Sequence, residues 1–232
     1  MNKVPRHIGI VLDGNRRYAV KLNLPGYKGH EFGAKKVEEL LDWCKELDIK
    51  ELTLYAFSIE NFSRPKEELK FLWHLFEREF RRMKSDSRIY DYRVKINFLG
   101  RLSLFPRGVR EAMHKLMEAT KKHKDHIVNF AMGYSGRLEI VDAIKKIFKD
   151  LKARKIKPKD ISEDLLSEKL YIKSEPDLII RTSGEQRVSN FLLYQAAYAE
   201  WFFIKKLWPE FTKQDLILAI DDYSNRQRRF GR

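Results

Sequence analysis

The chain has 232 residues, enough for one medium α/β domain, and 43% of them are apolar, enough for a real core. Its 47 Lys+Arg against 33 Asp+Glu leave a net charge of +14. That balance favours a polyanionic partner (nucleic acid, anionic lipid or a phosphorylated small molecule), the bland alternative being scattered surface lysines.

Met1–Arg6 leads straight into His7–Leu12, a short buried strand, which leaves no room for a signal peptide. No apolar run approaches the roughly 18 residues needed to span a bilayer. Asp13-Gly14-Asn15-Arg16-Arg17-Tyr18 follows the strand, with a turn glycine and good capping residues. A strand running into a helix start is a ready phosphate site. Asp13 is anomalous there, because a carboxylate repels phosphate unless a divalent cation lies between them. It is either an N-cap or a Mg²⁺ ligand.

A Pro/Gly-rich loop, Leu24–His30, precedes a helix from about Phe32 to Leu47, with Val37, Leu40, Leu41, Cys44 and Leu47 on one face. Cys44, the single cysteine, excludes an internal disulfide or a multi-cysteine zinc site, and its use points to the cytosol. Glu51–Phe57 is the second strand, ended by the polar stretch Ser58–Arg64. A third helix after Pro65 carries Leu69, Leu72, Trp73, Phe76, Phe80 and Met83 in one bulky stripe, which is either core or the wall of an apolar cavity. Arg81–Arg88 is an exposed helix end.

Val94–Leu99 and Ile127–Met132 are the next strands, and Pro106–His123 and Leu138–Leu151 are helices. His123 and His126 sit in a lysine-rich connection with no further ligands and are assigned to the surface. A short helix, Ser162–Leu170, precedes the fifth strand, Asp177–Ile180. The polar block Arg181–Asn190 follows, and then Phe191–Tyr198, a segment able to start a helix. Trp201–Ile204 is the sixth strand and Thr212–Arg226 the last helix.

Alternating strands and helices specify a single α/β domain over 1–232: a central, mostly parallel six-stranded sheet flanked by helices. The polar clusters after strands one, two and five then converge on one crevice. It holds Asp13, Asn15, Arg17, His30, Asn61, Arg64, Arg181, Arg187 and Ser189, with Glu200 able to join. There is no nucleophile elbow, Walker A sequence or dinucleotide fingerprint. Several arginines with two potential metal ligands suit a diphosphate ligand, and metal-assisted departure of diphosphate needs no protein nucleophile.

Here a resemblance becomes specific. Asp13-Gly14-Asn15-Arg16-Arg17-Tyr18-Ala19 resembles the first signature of the cis-prenyltransferases, the undecaprenyl/dehydrodolichyl diphosphate synthase family. Gly29-His30-x-x-Gly33, then Leu54–Pro65 with its Ser58-Ile59-Glu60-Asn61-Phe62-x-Arg64, are similar to the second and third. Arg181–Leu193, Glu200 and Arg229-Phe230-Gly231 match the remaining landmarks in order, from residue 7 to residue 231.

The resemblance implies condensation of isopentenyl diphosphate onto an ionising allylic prenyl diphosphate, giving a long cis-polyprenyl diphosphate that serves as a carrier-lipid precursor. It implies Mg²⁺ held by Asp13 and Glu200, with Asp13 assisting departure. Gly14, Asn15, Arg16, Arg17, Tyr18 and His30 surround the allylic diphosphate, with Ser58, Ile59, Glu60, Phe62 and Arg64 nearby. Arg181, Arg187, Val188 and Ser189 hold the isopentenyl diphosphate. Asn61 is the family's suggested proton-handling residue; a neutral amide is a poor base, so diphosphate or water is the alternative acceptor. An apolar tunnel beside the sheet would be lined by Leu69, Trp73 and Phe76 with Ile96 and Phe98. Arg229 and Gly231 belong to a tail that reaches the partner's site, which implies a self-sufficient homodimer. The expected setting is cytoplasmic, with peripheral membrane contact left open and no nucleic acid.

The chain departs from the bacterial pattern at Arg16 and Tyr18, as the eukaryotic-type motif does. Gly26 stands where many members have a diphosphate-binding arginine, for which Lys28 is the substitute at hand. Gln186 replaces a metal-binding histidine. Two other functions compete: the same fold with a non-isopentenyl acceptor, and a non-catalytic basic α/β binding protein.

Overall fold

A computed structural model describes residues 4–226. Arg229 and Gly231 lie outside the described residues. Six strands form one sheet in the order β3-β4-β2-β1-β5-β6, every pairing parallel. They are β1 (His7–Val11), β2 (Glu51–Ser58), β3 (Val94–Leu99), β4 (His126–Tyr134), β5 (Leu178–Arg181) and β6 (Glu200–Phe203). Strands buried on both faces need near-continuous apolar runs, and Ile8, Ile10, Leu52, Leu54, Ile96, Phe130, Ile179 and Ile180 supply them.

The helices are α1 (Asn15–Lys21), α2 (Gly29–Glu46), α3 (Lys66–Lys84), α4 (Ser87–Asp91), α5 (Arg107–Thr120), α6 (Gly136–Lys152), α7 (Glu163–Lys169) and α8 (Lys213–Asn225). On one face, apolar residues of α2, α3, α5 and α8 pack with Ile10, Leu54, Phe98 and Phe130. On the other, Val11, Tyr55, Ala131 and Ile179 pack with Tyr134, Phe191 and Leu192.

Three expectations need correction. Residues 81–88 are not one helix end: α3 stops at Lys84, and the Asp86 carboxylate caps a separate α4 by accepting from the Arg88 N–H at 3.0 Å. The Phe191–Tyr198 segment forms turns rather than a helix. Ser189, Asn190 and Leu192 have φ of 46°, 64° and 44°, which right-handed helix does not allow. His126 is buried rather than on the surface, with Nδ1 2.9 Å from the Ile49 carbonyl.

Strand order reverses at β1, which lies between β2 and β5. A crevice therefore opens at the carboxyl ends of these strands, where ligands bind in open α/β sheets. The β2–β4 register shifts between Tyr55 and Phe57, which leaves Ala56 out of the ladder beside that crevice.

Candidate active site

The Asp13 backbone is clamped from two sides. Its N–H donates to Thr182 Oγ1 at 3.1 Å, and its carbonyl accepts from the Thr182 hydroxyl at 2.7 Å and the Trp208 N–H at 2.9 Å. Gly14 follows at φ 110°, where a Cβ would lie 2.9 Å from Leu207. This turn sends the Asp13 side chain into the crevice. It does not cap α1, whose N-cap residue is Gly14. Instead Oδ2 accepts from Arg181 Nη2 at 2.9 Å and Oδ1 from Arg17 Nη2 at 3.3 Å. Burial pushes this carboxyl up, but the Arg181 hydrogen bond and the charges of Arg181 and Arg17 outweigh it, so it sits below the usual carboxylate value. Asp13 is ionised at neutral pH.

Arg181 ends β5 with only 4% of its side chain exposed. Its Nη1 donates to Ser189 Oγ at 2.6 Å and to the Arg187 carbonyl, while Nε has no partner. Those bonds bend the following loop back onto Arg181 through residues with positive φ: Ser183 (81°), Gly184 (78°), Ser189 and Asn190. Arg187 points away. Its side chain is 60% exposed and pairs with Glu185 at 2.6 Å. Arg181 and Ser189 are thus brought together as expected, and Arg187 is not.

Across the crevice, Arg64 Nη1 donates to His30 Nε2 at 3.3 Å, so the ring proton belongs on Nδ1. Burial and the charges of Arg64 and Arg16 push His30 down to about 3, which keeps it neutral. Glu68 Oε1 lies 3.7 Å from the same Nε2, close enough for an ion pair with a protonated ring. Its charge is directed instead at Arg64 (3.3 Å) and Arg16 (3.8 Å), and the guanidinium facing Nε2 settles the ring as neutral. Asn15 is wedged beneath: its Oδ1 would lie 2.2 Å from any Cβ at position 33, so only Gly33 fits there.

Two clefts share Leu12, Asp13, Asn15, His30 and Arg64. One, about 470 Å³, adds Tyr55, Ala56, Ser58, Glu60, Asn61, Arg181, Ser189 and Asn190. The other, about 370 Å³, adds Gly14, Arg16 and Arg17. Arg16 lies across Gly26, with Nε 3.5 Å from where a Cβ would stand. It thus brings a guanidinium to the edge that lacks one at position 26. The Asn61 carbonyl oxygen accepts from the Ser58 N–H at 3.1 Å, which leaves its NH₂ for the cleft.

Tyr18, Ile59, Phe62 and Val188 line neither cleft. Tyr18 packs edge-on against Phe32, and Phe62 joins Phe57, Trp73 and Phe105. Sequence reasoning gave no site role to Tyr55 or Asn190, and read Glu68 only as a first-turn carboxylate suited to the α3 dipole. For Glu68 the signal was its i+4 spacing from Arg64. Asn190 stood inside the polar block, and its side chain ties that block to Ser135 (2.8 Å) and Glu60 (3.3 Å).

Glu200 does not meet Asp13. It opens β6, opposite Leu178, whereas Asp13 follows the end of β1, whose Val11 aligns with Arg181. In a parallel sheet a residue before one strand and a residue after another lie at opposite ends. Glu200 instead accepts from Arg226 at 2.8 Å. Among the described residues no group of three His, Cys, Asp or Glu could hold a metal. The donor set fits a cation that arrives with a diphosphate and takes one protein carboxylate, as Mg²⁺ commonly does. It does not fit an all-protein cage.

Of the expected tunnel residues, only Phe76 faces apolar space: a cavity of about 90 Å³ shared with Leu12, Ala34, Val37, Leu75, Phe80, Met83 and Phe130. Trp73 packs among Phe57, Phe62, Phe76 and Phe105, Leu69 packs against the same core, and Ile96 and Phe98 are buried within it. Trp73 meets Phe57, Phe62 and Phe105, and Phe76 links that cluster, through Phe57 and Trp73, to the cavity it lines with Leu75 and Phe80.

Comparison with known proteins supplies the rest. Residues 11–231 match the family described as "Putative undecaprenyl diphosphate synthase". A tritrans,polycis-undecaprenyl-diphosphate synthase (geranylgeranyl-diphosphate specific) of Pyrococcus abyssi is 48% identical over 99% of this chain and 88% of its own. An isoprenyl transferase of Thermus thermophilus is 48% identical over 99% of this chain and 89% of its own. Lavandulyl diphosphate synthase of Lavandula x intermedia, solved with dimethylallyl diphosphate, superposes with a TM-score of 0.94 at 32% identity, covering 99% of both chains. A probable undecaprenyl diphosphate synthase of Campylobacter jejuni gives 0.82 at 32% identity over 100% of both. The chain therefore belongs to the undecaprenyl diphosphate synthase family and is a cis-prenyltransferase.

Proposed function

We propose that this protein elongates an allylic diphosphate, geranylgeranyl diphosphate first among them, with isopentenyl diphosphate to a long cis-polyprenyl diphosphate. The observation that carries this is Asp13 between Arg17 and Arg181, at the boundary of two guanidinium-lined clefts. The primer follows the names of the archaeal relatives.

In this reading Arg16, Arg17 and Arg64 bind the allylic diphosphate, which departs as charge builds on its bridging oxygen. Arg181 and Ser189 hold isopentenyl diphosphate alongside, and Arg187 turns in from Glu185 to join them. The neutral His30 stands beside the departing group without adding positive charge or competing for it. Asn61 directs its NH₂ at the substrate and, as an amide, is no base, so the proton lost from the new double bond goes to diphosphate or water. A bound Mg²⁺, held by Asp13 and phosphate oxygens, would supply charge neutralisation to the leaving diphosphate. Binding the two diphosphates side by side sets the new bond's geometry by proximity alone.

A homodimer is proposed as well. Val141, Ile144 and Phe148 form an exposed apolar stripe on α6, 42%, 54% and 56% exposed. Sedimentation velocity tests this, with a monomer at micromolar concentration as the contrary result. No helix among the described residues is long and apolar enough to cross a membrane, so membrane contact, where made, is peripheral. For the reaction, the chain is incubated with Mg²⁺, radiolabelled isopentenyl diphosphate and geranylgeranyl diphosphate, and products are resolved by mass. Polyprenyl products are expected; their absence overturns the proposal.

A further inference from the structure

Three tyrosines sit on the sheet face under α6: Tyr55 and Tyr134 within its core, and Tyr171 against it. Two of them direct their hydroxyls at carboxylates. Tyr134 donates to Glu139, and Tyr171 to Asp142. The Tyr55 hydroxyl is buried and has no hydrogen-bond partner among the described residues. Of the three, only Tyr55 lines the cleft of about 470 Å³, where it stands with Ser58, Asn61, Arg181 and Ser189.

The sheet aims it there. Tyr55 aligns with Val11 on β1, and Val11 with Arg181 on β5, so all three stand at one level. Val11, Tyr55 and Ile179 share the α6 face, and Arg181, two residues past Ile179, points the same way. The ring is held from two sides. It stacks on Phe191 at 4.8 Å and 14°, and meets Tyr134 edge-on at 5.8 Å and 90°. Phe191 follows directly on the loop that Arg181 bends back, so one segment sets both the ring and the guanidinium.

The same cleft holds a second bond not yet made: Arg181 Nε is buried and also without a partner. Ser189 Oγ already accepts from Arg181 Nη1 at 2.6 Å, so its own O–H proton remains to be donated. Burial, and then the charge of Glu60, raises the Tyr55 phenol above its ordinary value; Ser58 and Arg181 oppose the rise from nearby, neither in hydrogen-bond geometry. Tyr55 therefore keeps its proton at neutral pH and meets an anion as a donor. Three donors thus face one cleft. A buried donor left without an acceptor destabilises the fold, and a diphosphate oxygen relieves that.

We infer that the Tyr55 hydroxyl donates a hydrogen bond to the diphosphate of isopentenyl diphosphate, completing with Arg181 and Ser189 the site that holds it. This rests on the reading above that Arg181 and Ser189 bind that substrate. Arg181 supplies the charge. Tyr55 supplies direction, because a phenol fixed by stacking offers its proton within a narrow range of angles.

Tyr55→Phe keeps the ring and its stack and removes the hydroxyl alone. It is compared with Ser189→Ala and with the unchanged protein. KM is measured for each substrate, together with the melting midpoint and the rise in that midpoint given by isopentenyl diphosphate added without an allylic primer. In Tyr55→Phe, KM for isopentenyl diphosphate is expected to rise about tenfold, the usual weight of one hydrogen bond to a charged group, while KM for the allylic diphosphate stays as it was. Its midpoint without ligand stays level or rises, since an unpartnered buried hydroxyl is lost, and the rise given by isopentenyl diphosphate shrinks. A lowered midpoint with an unchanged KM makes the hydroxyl a part of the fold alone and overturns the inference. An effect confined to the allylic substrate overturns it as well. If Ser189→Ala raises KM for isopentenyl diphosphate and Tyr55→Phe does not, the substrate lies where proposed and Tyr55 does not touch it. If neither variant raises it, the assignment of Arg181 and Ser189 to that substrate falls, and the inference falls with it.

Discussion

The two faces of the sheet solve different problems with similar residues. The face under α2 and α3 is apolar with gaps, and its polar groups are confined to the crevice and the outer seam between α2 and α3. The face under α6 is small and closed by buried hydrogen bonds. Glu139 accepts from the Tyr134 hydroxyl, from the Tyr171 N–H at 2.8 Å and from the Gln195 amide at 3.0 Å. Gln195 also donates to the Ile172 carbonyl at 3.1 Å. Burial raises the Glu139 pKa, and these hydrogen bonds oppose the rise. A buried polar network favours one arrangement, here with only the Gln195 amide oxygen of its named members left without a partner, whereas apolar contacts permit sliding. The difference assigns roles: the gapped face can accommodate a ligand, and the networked face holds the loop that carries Arg181 and Ser189.

The comparison is broken most strongly at the crevice itself. Asp13→Ala is expected to lower kcat by about 10²–10³-fold, the usual effect of removing one preorganised electrostatic group. Initial rates of isopentenyl incorporation measure this. Full activity in that variant sinks the assignment of Asp13. On the opposite face, Glu139→Ala removes the acceptor of the buried Tyr134 hydroxyl, of the Tyr171 N–H and of one of the two Gln195 amide hydrogen bonds. Its expected cost is on the order of 3 kcal/mol of folding stability, read from urea denaturation. Its kcat, measured where the protein is still folded, falls far less than that of Asp13→Ala. Equal losses of activity with unchanged stability would dissolve the distinction between the faces.

The acid response sharpens it further. His30 has an ordinary value of 6.5 and about 3 in the fold. Below 6.5 the unfolded chain binds the proton that the folded one refuses, so stability falls as pH drops from 6.5 toward 3. Asp13 has the opposite chemistry with the same outcome at lower pH. Its depressed pKa contributes stability above the ordinary 3.8, lost only as pH falls below that through the folded value. Denaturation midpoints at about pH 7 and pH 5 therefore report His30 together with His7, whose burial also lowers its pKa, and His30→Gln is expected to make that interval shallower without flattening it. An unchanged slope would mean that the ring is protonated in the fold, on Glu68.

Much of this was legible beforehand, and the limits have physical causes. Strand and helix periodicity located all six strands and the long helices, because burial on both faces of a parallel sheet leaves unbroken apolar runs. The convergence of Asp13, Arg64 and Arg181 follows from strand ends, and His30 joins them from the start of α2. What failed depended on direction. Glu200 carries the right chemistry at the wrong end of its strand. Trp73 carries the right hydrophobicity but is taken up by the aromatic cluster of Phe57, Phe62 and Phe105. The loop after Arg181 was illegible because non-glycine residues with positive φ have no sequence signal. They persist because Arg181 and Asn190 hold them.

The smallest effect tests that loop most sharply. Arg187 was grouped with Arg181 on charge and on the family resemblance, yet one is exposed and paired with Glu185 and the other is buried against Asp13. Removing an exposed guanidinium changes folding stability by no more than about 0.5 kcal/mol. Arg187→Ala should therefore keep the wild-type denaturation midpoint. If the side chain swings in to bind isopentenyl diphosphate, KM for that substrate rises about tenfold, the loss of one charge-assisted contact worth roughly 1.5 kcal/mol. KM for the allylic diphosphate stays as it was. An unchanged KM for both substrates means that Arg187 remains with Glu185 throughout and that the protein's grip at that end does without it. A rise in both would place Arg187 nearer the shared boundary at Asp13 than its present outward position allows.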